Sequence, residues 1–269
     1  MSVRRCVLPL VFWGVVAMQA QADVASGVAY LEAGDITSAV TAFQTGFDAG
    51  EADGAFYLGR LFELGLGTDV DMQRAAALYQ AGAGAGSAKA QNRLGLMHLE
   101  GDTVLQDFGR AAELMCAAAE SGEQEAQFNC GLLHAQGRGV ATDQAQAVEL
   151  WAAAATQHHV AAHNLLGQAY QEGAGVSQDS TQAAYHFAKT AAAGNAMGLY
   201  ELARAHASGT GIELDPVKAH GFANLAAVRG LIEAQAFRDR LGVQLSPEEL
   251  EKAQAFARDW KAIPIDQAQ

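Results

Sequence analysis

Small and apolar residues return along this chain at three- and four-residue intervals, in short blocks separated by glycine. In one block Ala126, Cys130, Leu133 and His134 fall at i, i+4, i+7 and i+8, which is a single stripe along a helix. Gly131 sits at the edge of that stripe, where a missing side chain lets a neighbouring helix come close. The turn Gly137-Arg138-Gly139 then ends the helix, because glycine adopts the left-handed backbone that a helix terminus needs. Asp143 is placed to cap the next helix by accepting from its free N–H groups. A second stripe of Ala147, Leu150, Trp151, Ala154 and Ala155 follows. The pattern predicts helix A, a glycine turn, helix B and a second glycine turn.

This unit recurs every 36 residues. Gly59, Gly95, Gly131 and Gly167 are equally spaced, with Ala203 in the next place. Gly65, Gly101, Gly137, Gly173 and Gly209 keep the same step, as do Asp71, Asp107, Asp143, Asp179 and Asp215. A further column holds Gly50, Gly86, Gly122, Gly194 and Gly230, with His158 as its exception. One helix pair cannot bury its own apolar faces, whereas pairs stacked side by side can. The expected fold is therefore all-α: a right-handed α-solenoid of stacked antiparallel helix pairs with a 36-residue repeat and a C-terminal capping helix. Residues 24–50 read as a shorter pair with a tight turn at Ala33-Gly34-Asp35. Ser246-Pro247-Glu248-Glu249 supplies an N-cap, a first-turn proline and a capping-box glutamate for a closing helix to about Lys261. The expected organisation is a solenoid over 23–245, a cap over 246–262 and a tail over 263–269. Three places depart from the pattern: Gly101-Asp102-Thr103 lacks the second turn glycine, and Gln157-His158 and Ala203 replace glycine positions.

The start of the chain has a different character. Arg4 and Arg5 precede an apolar stretch from Cys6 to Met18 that is too short to span a bilayer, and Ala20-Gln21-Ala22 offers a small-x-small cleavage site. Residues 1–22 are expected to be a signal peptide, which makes the mature protein periplasmic or secreted. The formal charge is −13, and processing removes two of the 17 basic residues, leaving 15 against 30 acidic ones, a charge of −15. Such a surface repels phosphate backbones, so nucleic acid is excluded as a partner, and no later apolar run is long enough for stable membrane insertion. Two cysteines survive processing, Cys116 and Cys130. Folding about Gly122 brings them to similar heights on antiparallel helices, so a disulfide and a pair of buried thiols are both compatible with the sequence.

The motif Ala126, Cys130-Gly131, His134, Gly137-Arg138-Gly139, Asp143, Ala147, Ala154-Ala155 resembles the Sel1-like repeat family, a relative of the tetratricopeptide repeat. Ala162, Leu166-Gly167, Tyr170, Gly173-Ala174-Gly175, Asp179 and Ala183 repeat the likeness, and Lys218-Ala219 with Asn224-Leu225-Ala226-Ala227 resembles the family's last repeat. The resemblance implies a non-enzymatic adaptor that binds a protein. Exported bacterial members include periplasmic regulators that bind sensor kinases and others tied to envelope and polysaccharide control. Binding of cell-wall or polysaccharide fragments, an enzyme-like role and a purely structural place in an envelope assembly are the alternatives.

In such stacks the A helices line the concave face. The side of helix A opposite the buried stripe carries Phe56 and Arg60, Asn92 and Leu96, Phe128 and Leu132, Asn164 and Gln168, and Tyr200 and Arg204. A groove mixing apolar, amide and guanidinium groups suits an extended peptide or a partner helix, while the plainer reading packs these side chains between repeats. His98, His134 and His206 share a column with Phe62 and Tyr170 and are read as substitutes for a core aromatic. Cys130 and His134 lie one turn apart, but both fall at core positions of the repeat, and His159 and His163 share a face with no evident third ligand. No metal, cofactor or catalytic residue is expected. Gly82-Ala83-Gly84-Ala85-Gly86 follows a helix rather than a strand and lacks the Lys-Ser/Thr of a phosphate loop.

Overall fold

A computed structural model describes residues 23–267, so the expected signal peptide lies outside the described residues. Among the described residues there are 14 α-helices and no strand. The first hairpin is α1 (Val24–Glu32) with α2 (Ile36–Asp48). Five full units follow: α3 (Asp53–Leu64) with α4 (Met72–Gly84), α5 (Ala88–Glu100) with α6 (Phe108–Glu120), and α7 (Gln124–Gln136) with α8 (Gln144–Thr156). The fourth and fifth are α9 (Val160–Glu172) with α10 (Ser180–Ala192), and α11 (Ala196–Ser208) with α12 (Pro216–Val228). Then come α13 (Ile232–Gly242) and the cap α14 (Pro247–Asp259). Successive helices pack in chain order up to α13, and α14 closes the stack on α12.

The local chemistry explains each boundary. Asp71, Asp107, Asp143, Asp179 and Asp215 each accept from a backbone N–H in the first turn of a B helix. Gly65, Gly101, Gly137, Gly173 and Gly209 end the A helices in the left-handed region. His158 keeps the left-handed backbone of its glycine column at φ +68°, the one non-glycine residue among those described to do so. The turn without a second glycine still closes: Asp107 N–H reaches the His98 carbonyl at 3.0 Å, the bond that Asp71 makes to Phe62 and Asp143 to His134. Ser246 and Glu249 form the reciprocal capping box.

Within a unit the glycine of helix A faces a large side chain of helix B. A Cβ built on Gly59 would lie 2.6 Å from Tyr79, on Gly95 2.7 Å from Met115, on Gly131 2.5 Å from Trp151 and on Gly167 2.5 Å from Phe187. The fifth unit has Ala203 instead, packed with Ala223, the small residue at the matching B position. The departure at Ala203 is thus balanced by its partner. Each large residue of this kind contributes roughly 1.5–3 kcal/mol by leaving water.

Two units are also linked covalently. Cys116 of α6 and Cys130 of α7 form a disulfide, with Cα atoms 5.1 Å apart. It closes a loop across 14 positions of sequence. Beyond α14 the chain is not a loose tail. Ile263 N–H bonds the Ala192 carbonyl at 2.9 Å, and a short 3-10 turn, Ile265–Gln267, rests against α10.

Candidate partner-binding groove

Helix α3 touches α5, and α5 touches α7, whereas no two B helices pack as closely. The A helices of the first three units therefore lie on the inside of the curve, with their outward stripe towards the concavity. Phe56, Arg60, Leu96, Phe128, Leu132, Asn164, Gln168 and Tyr200 are all half-buried, and Arg204 is exposed. These positions also pack against the core. Phe56 lies against the core around Tyr79, Phe128 and Leu132 against the core around Trp151, and Tyr200 against the core around Leu199 and Ala226.

Asn92 departs from the expectation. It is buried at 7% exposure, because α5 and α7 approach closely enough for Asn129 Nδ2 to donate to Asn92 Oδ1 at 3.0 Å. Its amide ties neighbouring A helices together and is not a free contact. Asn164 is tied similarly, donating to Asn195 Oδ1 at 3.0 Å, while its own Oδ1 stays buried without a hydrogen-bond partner.

The N-terminal half of the concavity is an open groove of roughly 500 Å³ lined by Phe56, Tyr57, Arg60, Lys89, Asn92, Arg93, Leu96, Glu123 and Glu125. Tyr57, Lys89 and Arg93 were not anticipated. Their signal was the neighbouring columns of helix A, one residue or three residues away from the chosen positions. Glu63, at 9% side-chain exposure, anchors this end by pairing with Arg60 at 2.9 Å and with Arg93, and by accepting from Tyr79. Burial works against its charge, but the bonds from Arg93 and Tyr79 outweigh that and hold its pKa below the ordinary value. Tyr79 is pushed upward by burial and by the Glu63 carboxylate, so it remains a phenol. Lys89 pairs with Asp53 at 2.9 Å and lies over the Tyr57 ring at 5.1 Å. A separate recess of roughly 330 Å³ towards the C-terminal end is lined by Glu201, Arg204, Phe187 and Phe237 among others. Arg204 pairs with Glu201 at 2.9 Å there.

The histidines are placed differently from one another. His159 is spent on capping α9, where its Nδ1 accepts from Ala162 N–H at 3.1 Å and its ring stacks on Phe128 at 4.4 Å. It does not pair with His163, which instead meets His186 across helices with the two Nδ1 atoms 2.8 Å apart. Of the column expected to mimic a core aromatic, only His206 is buried, stacked on Phe222 with centroids 5.8 Å apart. His98 and His134 are half-buried.

The comparisons agree with this architecture. The family model described as Sel1 repeat matches five times, at residues 52–87, 88–123, 124–159, 160–195 and 196–230. Among solved structures, a Sel1 repeat protein from Oxalobacter formigenes is 25% identical with a TM-score of 0.74, covering 91% of this chain and 100% of its own. A protective antigen present in uropathogenic Escherichia coli strains, displaying an SLR fold, is 27% identical with a TM-score of 0.74. That alignment covers 87% of this chain and 52% of the antigen, so the chain spans about half the antigen's length. No curated protein matches the sequence. Among the described residues no helix is long and apolar enough to cross a membrane. Sel1 repeats are non-catalytic repeat scaffolds that generally mediate protein–protein interaction. With five matched repeats forming one continuous stack, the chain belongs to the Sel1 repeat family.

Proposed function

We propose that this protein is an exported, periplasmic adaptor that binds a segment of a protein partner along its concave face, without catalysis. The observation that carries this reading is the continuity of the A-helix surface. Half-buried Phe56, Phe128 and Tyr200 recur at one position of helix A and Leu96 and Leu132 one turn on, with Arg60, Lys89 and Arg93 lining one recess beside them and Arg204 a second. Apolar anchors flanked by groups of both charges suit an extended peptide or an amphipathic helix. The ion pairs to Asp53, Glu63 and Glu201 hold the cationic side chains in place, which lowers the ordering cost on binding. Export rests on Arg4, Arg5, the apolar stretch and Ala20-Gln21-Ala22. A regulatory role towards an envelope sensor kinase or a polysaccharide system is the finer form of the proposal.

The test begins with crosslinking in intact cells through a photoreactive residue at position 132, followed by mass spectrometry of the captured protein. The F128S/Y200S double variant should lose that partner by about tenfold or more in affinity while its helical circular dichroism is retained. Unchanged affinity in the folded variant would reject the groove. Capture only from the cytoplasm would reject export.

A further inference from the structure

The junction between the second and third units gathers three side chains of metal-ligating type. Cys116 projects from α6, and Cys130 and His134 from α7, and their donor atoms all lie within 4.8 Å of one another. His134 is unlike its column mates. His98 Nδ1 donates to the Leu105 carbonyl at 3.0 Å, and His206 Nδ1 donates to the Glu213 carbonyl at 3.0 Å. His134 makes no such bond, and its Nδ1 is buried with no hydrogen-bond partner. The repeat therefore offers this imidazole a turn carbonyl that it does not use, and it stands beside two sulfurs instead.

The geometry points to a redox-gated soft-metal site: when the disulfide is reduced, Cys116, Cys130 and His134 bind one Zn²⁺ ion. Two thiolates and a neutral imidazole are a ligand set that zinc favours, with Zn–S near 2.3 Å and Zn–N near 2.0–2.1 Å. Tetrahedral coordination would set the sulfurs about 3.8 Å apart, within reach of two cysteines whose Cα atoms lie 5.1 Å apart. Cys130 is buried and Cys116 half-buried, so the ion has one side open to solvent, and a fourth position remains for water. The exchange balances with a dithiol as reductant. Two electrons pass from the dithiol, which becomes a disulfide, to the Cys116–Cys130 bond. Zn²⁺ then displaces the two thiol protons, which leave to solvent. The covalent link between α6 and α7 is replaced by a coordinate one, so the same loop stays closed in both states.

The experiment uses the full mature chain, oxidised or reduced under anaerobic conditions with a phosphine, titrated with Co²⁺ and then Zn²⁺. The reduced chain should bind one Co²⁺ with thiolate-to-cobalt charge-transfer absorption and the intense visible bands of a tetrahedral ion, and Zn²⁺ should displace it. The oxidised chain should show neither. H134A should weaken binding by more than about tenfold, C116S should abolish the charge-transfer band, and H98A should change nothing. Absence of that band in a reduced chain that keeps its helical spectrum would overturn the proposal, as would equal affinity in H134A. If reduction unfolds the chain, Zn²⁺ must restore its helicity in the parent and not in H134A, and failure to do so would also overturn it.

Discussion

His158 holds a left-handed backbone at φ +68° where all five other members of its column, Gly50, Gly86, Gly122, Gly194 and Gly230, are glycine and bear no steric cost. A residue with a Cβ pays about 1–2 kcal/mol in this region. H158G should therefore stabilise the protein by roughly 1 kcal/mol, after the extra unfolded-state freedom of glycine is deducted, and raise the melting temperature by about 2–4 °C in a thermal melt. At this scale the sequence was most legible where one residue type performs one job. The five aspartates at 36-residue steps could be read as caps because a carboxylate one residue ahead of a helix has few other uses. The caps of the A helices were not legible. Ser87, Glu123, His159 and Asn195 all accept from the third residue onward, and four different side chains in one column leave no compositional trace. The burial of Asn92 was hidden for a related reason: its partner Asn129 belongs to another unit, 37 residues away.

Between elements, the controlling feature is the match of a small residue on helix A to a large one on helix B. Adding a methyl at Gly131 places it against the Trp151 ring and under the Ala147 carbonyl. G131A should cost roughly 1–3 kcal/mol in denaturant unfolding. In a W151A background the further cost should shrink, since the fifth unit already tolerates Ala203 opposite Ala223. A coupling energy near zero in that double-mutant cycle would show that the pair does not set the helix spacing. The glycine column was visible in the sequence, but its partner, 20 positions later, varies among Tyr, Met, Trp, Phe and Ala, so the pairing was not. A second link between elements responds to pH. Burial, then His163 and Lys189, push His186 down to about 4, and burial, then Lys189, lowers His163 as well. Both rings are neutral in the fold and bind protons more readily once unfolded. The stability they provide is complete above about pH 6.5 and is lost as pH falls towards 4. Unfolding free energy should drop by on the order of 2–3 kcal/mol over that window, and H186F should flatten the drop.

At the scale of the molecule, each unit rests only on its neighbours, so damage at one end should remain there. Helix α14 covers α12, with Phe256 against Gly221 and Phe222, and Trp260 beneath Arg229 at 5.0 Å. Truncation before Ser246 should expose that face, increase binding of a hydrophobic dye and release amide protons of α11 and α12 to exchange. Protection in α3 to α8 should survive, and uniform loss along the chain would contradict a nearest-neighbour stack. The periodicity made this architecture legible, including the short first hairpin and the cap. The C-terminal strap across α10 was not, because Ile263 attaches through a single backbone bond that no side-chain pattern encodes. The AB turns give the stack a direction as well. Gly139, Gly175 and Gly211 press against the backbone carbonyls of Phe108, Gln144 and Ser180, the first helical residues of the B helix one unit earlier. These three turns thus land on ledges belonging to segments synthesised before them. A polypeptide emerging amino end first meets its docking place already built, and the array can assemble vectorially, one module at a time, without waiting for its last residue.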